Sequence, residues 1–350
     1  MSEVQLTQFS HGAGCGCKIA PAVLDSILQS EIAPSIFKEL LVGNSSKDDA
    51  AVYDLGNGTA LISTTDFFVP IVDDPYQFGR IAAANAISDV YAMGGKPIMA
   101  LAILGWPVDK LSPEIARRVI EGGRSICEEA GIPLAGGHSV DTTEPIFGLS
   151  VNGIVTTDHL KKNNTAQIGD LLFLTKPLGV GILSTAQKRG QLEAPDLTIL
   201  IHQLNQLNKV GQLLGAIKGV HAMTDVTGFG LIGHLMEMME GSNTGALINY
   251  SQVPVINSAK QYLAKRLVPD ATYRNWNAYS KQVGFEKGVD VMEAFSILPD
   301  PQTNGGLLFA VDPLAVEEVV PLLLMNGLEN HIIPIGKVTE VTEKRIMVAP

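Results

Sequence analysis

The chain has 350 residues, 46% hydrophobic and 17% charged, with a net charge of −11 at neutral pH. That apolar content excludes a disordered chain, and no apolar run approaches the roughly 18 residues that span a bilayer. The acidic balance argues against a nucleic-acid surface, which needs clustered Lys and Arg.

The first stretch of note is His11-Gly12-Ala13-Gly14-Cys15-Gly16-Cys17-Lys18. Its glycines lose much conformational entropy when ordered, so the run reads as an arm that stays mobile until something binds it. It is either a lid bringing a thiol and a cation to a site built elsewhere or a frayed terminus with exposed thiols. The chain's three cysteines make neither a disulfide framework nor a four-ligand zinc site. Residues 1–5 lack the basic and apolar regions of a signal peptide, which predicts a cytoplasmic protein.

Residues 21–30 predict a short helix with Val23, Leu24, Ile27 and Leu28 on one face. A polar turn then enters a strand with Asp48 and Asp49 at the junction, and the next strand, 60–68, carries Asp66. Residues 78–93 predict a helix stopped by Gly94-Gly95 and Pro97, with Asn85 and Asp89 about a turn apart on one face. An apolar strand spans 97–106. Ser112-Pro113 supplies a cap and first-turn proline for a helix whose stripe is Ile115, Val119, Gly122, Ile126 and Ala130. Cys127, beside that stripe, reads as a core thiol. Residues 134–139 predict a strand entering a glycine turn at Gly136-Gly137, and 145–155 a further strand.

The polar stretch 156–169 marks a boundary between an N-terminal domain, 19–156, and a C-terminal domain, 157–350, with 1–18 as the arm. Beyond it strands are expected at about 170–175, 220–224, 246–250, 305–311 and 331–338. The longest helix is expected at 195–217, and 266–289 reads as an irregular excursion. Mixed strands and helices in two halves give an α+β or α/β fold.

Asp49, Asp66, Asp89 and Asp225 stand at strand ends or on a helix face. Each alone also reads as a cap on its own turn. Brought together they repel, by roughly 3 kcal/mol for a pair ~5 Å apart at an effective dielectric near 20. A site holding several ionised therefore needs cations, and an all-oxygen donor set favours Mg²⁺ or Mn²⁺ shared with substrate phosphates. Lys47, Lys18 and the glycines 136–137 are candidates for the remaining phosphate contacts. Residues 228–233 match GxGxxG, but Asp225 precedes them and the next strand ends in Asn249-Tyr250 without an acidic ribose ligand, so a dinucleotide role is set aside.

Six segments together resemble one family. They are residues 11–18, 47–52, 64–68, 85–95, 136–139 and 223–230, joined by the late turn Asp300-Pro301-Gln302-Thr303-Asn304-Gly305-Gly306. From about residue 7 to the C-terminus, in order and spacing, the chain is similar to the selenophosphate synthetases (selenide, water dikinases), relatives of the aminoimidazole ribonucleotide synthetases. The resemblance implies an α+β, two-domain enzyme: an N-terminal β-sheet domain forming a barrel across a homodimer, and a C-terminal α/β domain. It implies conversion of ATP, selenide and water to selenophosphate, AMP and orthophosphate, supplying activated selenium for selenocysteine and seleno-tRNA.

Carried over by motif, Asp49, Asp89 and Asp225 would hold Mg²⁺. Ser46, Lys47, Asp48, Asp66 and Asp89 would contact ATP or its metals. Gly137, His138 and Ser139 would do so too, in one reading from the partner subunit. Lys18 would stabilise phosphate charge. Cys15 would handle selenium, while Cys17 stays open among spare thiol, redox partner and transient selenium carrier. A selenium-delivery protein is a further expected partner. Asn304 departs from the small residue expected there, in a turn that tolerates asparagine. The alternatives are a related ATP-dependent enzyme with another acceptor and a non-catalytic selenium-binding protein.

Overall fold

Two sheets carry the fold. The computed structural model describes residues 4–10, 12–17, 21–28, 37–43 and 48–350. The first sheet holds β1 (Leu40–Val42), β2 (Ala51–Asp54), β3 (Thr59–Phe68), β4 (Lys96–Trp106), β5 (Leu134–Asp141) and β6 (Ile146–Thr156), in the order β1-β2-β3-β6-β4-β5. Its pairs are antiparallel except β4 with β5. Helices α1 (Pro21–Leu28), α2 (Pro75–Ala92) and α3 (Pro113–Ala130) belong to this half.

The second sheet holds β7 (Leu171–Leu174), β8 (Val220–Asp225), β9 (Gly245–Asn249), β10 (Val283–Phe285), β11 (Leu307–Val311), β12 (Gly336–Thr339) and β13 (Ile346–Ala349). Its order is β10-β13-β9-β12-β7-β11-β8, so β8 is an edge strand. Around it lie α4 (Val180–Lys188), α5 (Ala194–Asn205), α6 (Val210–Gly215), α7 (Gly230–Gly241), α8 (Ala259–Ala264), α9 (Asp270–Tyr279), α10 (Val291–Ile297) and α11 (Val316–Met325). The whole is a mixed α/β fold in two halves.

Helix α2 organises the site. Asp74 caps it, accepting from the Gln77 N–H at 2.8 Å, and Pro75 follows at the first position. Its residues are small or apolar on nearly every side, and Phe78, Ile81, Ala82–Ala84, Ala86, Ile87 and Val90 are all fully buried. A helix apolar all round belongs inside a protein, and α2 packs against β3, β6 and α3 in its own half and against α5, α6 and β8 in the other. The approach to α3 depends on glycine. A Cβ at Gly79 would lie 1.8 Å from the Val119 carbonyl oxygen, and one at Gly122 2.0 Å from that of Tyr76.

Residues 134–139 do not enter a turn, since β5 runs on through Gly136 and Gly137 to Asp141. The helix expected over 195–217 is broken into α5 and α6. Residue 206 gives its carbonyl to the Lys176 ammonium and the Asn304 amide, and Asn208 bonds to Ser88 and Gly305, so tertiary bonds outcompete the helix at the break. The supposedly irregular 266–289 contains α9 and β10, joined through the Trp276 ring stacked on Phe285. The strand expected at 331–338 is short, and β13 was missed. The apolar face of α1 is exposed, not packed. Cys127 is a core thiol as expected, its pKa pushed up to about 12 by burial and by Glu128. Among the described residues no helix is long and apolar enough to cross a membrane.

Candidate active site

An acidic cluster gathers where α2 meets both sheets. Asp48 and Asp49 precede β2, Asp66 lies on β3, Asp89 on α2 and Asp225 ends β8. Each is held by a group from another element. The Asn163 N–H donates to Asp48 Oδ1 (2.9 Å) and Thr224 Oγ1 to Asp49 Oδ1 (2.8 Å). The Asn85 amide donates to Asp66 and the Thr64 hydroxyl to Asp89. Ser88 Oγ donates to Asp225 Oδ2 at 2.6 Å. Three of these bonds tie the halves together: Asn163 reaches Asp48, Thr224 of β8 reaches Asp49, and Ser88 of α2 reaches Asp225.

The polar groups Asn85, Ser88 and Asp89 fall at i, i+3 and i+4 on an otherwise apolar helix, so they share one face. Buried polar groups need partners, and this face finds them in the other half. Asn208 Nδ2 donates to Ser88 Oγ at 2.8 Å, and the Asn304 N–H donates to Asn85 Oδ1 at 2.6 Å. The Lys176 ammonium donates to the carbonyls of Gln206 and Asn304, both at 2.8 Å. Burial pushes Lys176 down to about 7, with the Asp225 charge acting the other way. Ser88, Thr64, Thr224, Asn208 and Lys176 were missed in the sequence. A signal for Ser88 was present, a hydroxyl inside an apolar helical run.

The residues fit a hard cation. Burial, and then the charges of Asp225, Asp89 and Asp48, hold Asp49 well above the usual carboxylate range. Asp49 Oδ2 is buried and accepts no hydrogen bond. A buried oxygen without a donor, among carboxylates that repel it, is a place for positive charge. Among the described residues, though, no three of His, Cys, Asp and Glu converge as a finished cage. That suits Mg²⁺, which keeps water or phosphate oxygens in its shell and takes few protein ligands.

Gly137, His138 and Ser139 are not brought to this cluster within one chain. Asp66 pairs with Leu149, Ala102 with Leu149, and Ala102 with Gly137, so Gly137 lies in the same cross-strand row as Asp66. Three strand spacings separate them, roughly 14 Å, and β5 is the free edge of the sheet. The glycines of 228–233 serve packing: a Cβ at Gly230 would lie 2.6 Å from the Pro299 carbonyl carbon. Lys18, Ser46 and Lys47 lie outside the described residues, as do the side chains of Cys15 and Cys17.

The arm is tied down at the positions described. Leu6 is buried, and the Thr7 N–H and hydroxyl donate to Asp73 Oδ1 at 3.1 and 2.5 Å. The Gly14 N–H donates to the Val69 carbonyl at 3.2 Å.

Residues 47–155 match the family described as AIR synthase related protein, N-terminal domain, and residues 167–349 the corresponding C-terminal domain. A selenide, water dikinase of Photorhabdus laumondii is 55% identical over 347 residues, 99% of this chain and 98% of that protein. One from Photobacterium profundum is 59% identical over 318 residues, 91% of each. The chain belongs to the selenide, water dikinase family. Its fold is shared more widely: thiamine monophosphate kinase of Aquifex aeolicus superposes with a TM-score of 0.65 at 19% identity, covering 94% of this chain and 97% of that one.

Within this dikinase-family chain, Asn304 does more than fit a turn. It sits at φ +46°, fully buried, and its amide donates to the carbonyls of Leu204 (2.7 Å) and Gln206 (2.8 Å). Asn304→Ala removes both bonds and puts a methyl side chain in left-handed backbone, an expected loss of about 2–4 kcal/mol in urea unfolding. Asn304→Gly, relieved of the backbone strain, is expected to lose about 1 kcal/mol less. Equal losses would show that the backbone angle costs nothing.

Proposed function

We propose that the chain converts ATP, selenide and water to selenophosphate, AMP and orthophosphate. The observation that carries this reading is the near-full-length identity to selenide, water dikinases, and the acidic cluster supplies the chemistry it needs. Phosphoryl transfer calls for positioning and charge neutralisation more than covalent help from the protein.

In this reading Asp49, Asp89 and Asp225 hold Mg²⁺, which when bound offsets phosphate charge. Thr224, Thr64 and Ser88 orient these carboxylates, each through the hydroxyl bond described above. Asp66 and Asp48, with Ser46 and Lys47, face ATP. Lys18 stabilises charge on the phosphates, and Cys15 handles selenide through hydrogen bonding, with no S–Se bond formed and so no oxidant required. A free thiol is a few per cent thiolate at neutral pH, a fraction that a nearby lysine raises.

We also propose a homodimer and a division of the chain near residue 156. The face of the first sheet opposite α2 leaves Tyr53, Phe67, Ile98, Leu101 and Ile154 exposed, between 37% and 50%. Such a set on one face supports a partner sheet packed against it. Dimer pairing would let the Gly137–Ser139 edge of one subunit serve the other's cluster. A cytoplasmic site and a selenium-delivery protein complete the proposal.

The test is anaerobic phosphorus NMR of the protein with Mg-ATP and thiol reductant, with and without selenide. Selenophosphate is expected together with AMP and orthophosphate, only in the tube with selenide. ATP hydrolysis indifferent to selenide would point to another acceptor, and no turnover in either tube to a selenium-binding role.

A further inference from the structure

Two cations grip the thiol-bearing arm by its backbone. Lys188, in the last turn of α4, donates through Nζ to the carbonyls of Ser10 (3.0 Å) and Gly12 (2.7 Å). Arg274, on α9, donates through Nη2 to the carbonyl of Gly16 at 2.9 Å. Among the described residues no ion pair to a carboxylate involves either side chain. Two of the three carbonyls precede the 3-10 turn Gly14–Cys17, and the third, that of Gly16, lies within it.

Between the arm and the C-terminal half lies a cavity of about 450 Å³, with Gly12, Ala13 and Gly16 along one side and Ser184, Lys188 and Arg274 along the other. A glycine-rich segment has few side chains by which it can be held. Charge-assisted bonds to its carbonyls are the way left to order it, and they are stronger than neutral ones. Both anchors belong to the C-terminal half, whereas the Gly14 N–H is held by Val69 of the N-terminal half. The arm therefore closes across the junction of the halves.

We propose that Lys188 and Arg274 are positioning residues for selenium transfer: they fix the Gly14–Cys17 turn over this cavity and so set how often the arm is closed when selenide arrives. This rests on the dikinase reading given above for its substrate, but the grip itself does not. Because the bonds go to carbonyls, they act on the fold of the arm whatever its thiols carry. The acidic cluster lies on other elements, so the grip bears on ATP only through Lys18, whose charge serves the transferring phosphates more than the affinity for Mg-ATP.

The test compares Lys188→Met, Arg274→Met and the conservative Lys188→Arg in the full chain. The first readout is iodoacetamide labelling of the arm cysteines, resolved by mass spectrometry, with buried Cys127 as internal control for folding. The second is steady-state kinetics in selenide alongside calorimetric titration with Mg-ATP. Each methionine variant is expected to label about tenfold faster and to lose about ten- to a hundredfold in kcat/KM for selenide, the effect of the one bond lost with Arg274 or the two lost with Lys188. ATP affinity is expected to stay within about twofold, because only the arm is released. Lys188→Arg, which keeps the donor, restores both.

Unchanged labelling in both methionine variants would overturn the grip. Faster labelling with unchanged selenide kinetics would overturn the positioning role. If the parent itself shows no selenide-dependent turnover, the dikinase reading fails, and the labelling still decides whether the arm is held.

Discussion

Asp49→Asn is expected to abolish magnesium-dependent turnover, by more than a hundredfold, and yet to raise the melting temperature of the metal-free protein. Both effects come from the same crowding. Asp49 Oδ1 accepts from Thr224, a bond that asparagine keeps, while Oδ2 is buried without a donor. Asparagine puts an N–H₂ there, facing carboxylates of Asp48, Asp89 and Asp225, where the native side chain brings a fourth anion. Relieving roughly 1–2 kcal/mol of repulsion corresponds to a rise of about 1–3 °C in a cooperative unit of this size.

The pH dependence has a definite sign. The folded pKa of Asp49 lies above its unfolded value, so the folded state binds the proton more tightly. The contribution to stability is full below the ordinary carboxylate range near pH 4 and is lost as pH rises through the raised folded value. Metal-free native protein should therefore lose melting temperature with rising pH more steeply than Asp49→Asn, and added Mg²⁺ should remove that difference by restoring the native protein alone. Scanning calorimetry from pH 5 to about 8, with and without Mg²⁺, reads all three. A variant that melts lower at every pH would show that Asp49 is not repelled in the metal-free state.

Cys15→Ser is expected to lose selenide-dependent turnover by more than a hundredfold while binding Mg-ATP within about twofold of the parent. Serine matches cysteine in shape, but its hydroxyl does not ionise near neutral pH and puts a hard oxygen where selenide would meet a soft, polarisable sulfur. The bonds described for the arm run through backbone groups and Thr7, so the substitution leaves them in place. Calorimetric titration with Mg-ATP and the phosphorus NMR assay separate binding from transfer. Loss of ATP binding would mean that the arm and the acidic cluster are one site, not two. The same assays on Cys17→Ser distinguish a spare thiol, which changes nothing, from a partner that Cys15 needs.

Much of the site was legible because its chemistry is local in sequence. Asp49, Asp66, Asp89 and Asp225 stand out as anions at strand ends and on a helix face, and all four gather around α2. The fold class and the buried nature of Cys127 follow from apolar periodicity. What stayed hidden depends on partners far along the chain. Nothing within residues 195–217 announces a break, since the bonds that cause it come from Lys176, Ser88 and Asn304. Gly136-Gly137 reads as a turn by composition, but the pairing with β4 continues past it after one register irregularity between Leu134 and Gly137. Asn304 shows its tolerance for a turn, while its hold on the carbonyls of residues 204 and 206 is a property of the assembled core.

Helix α2 has a consequence for how the molecule comes apart. Its polar face takes Asp66 and Thr64 from its own half but needs Asn208, Asn304 and Asp225 from the other, and most of its remaining surface is apolar. Severed from that half, the N-terminal sheet would present to water an apolar helix on which Ser88 loses the bonds to Asp225 and Asn208 and Asn85 the one from Asn304. Neither half is a free-standing folding unit in this arrangement, so melting should be shared, one cooperative event for both. Recombination could move this pair between genes only as a pair, because the helix that belongs to one half by sequence belongs to both by contact.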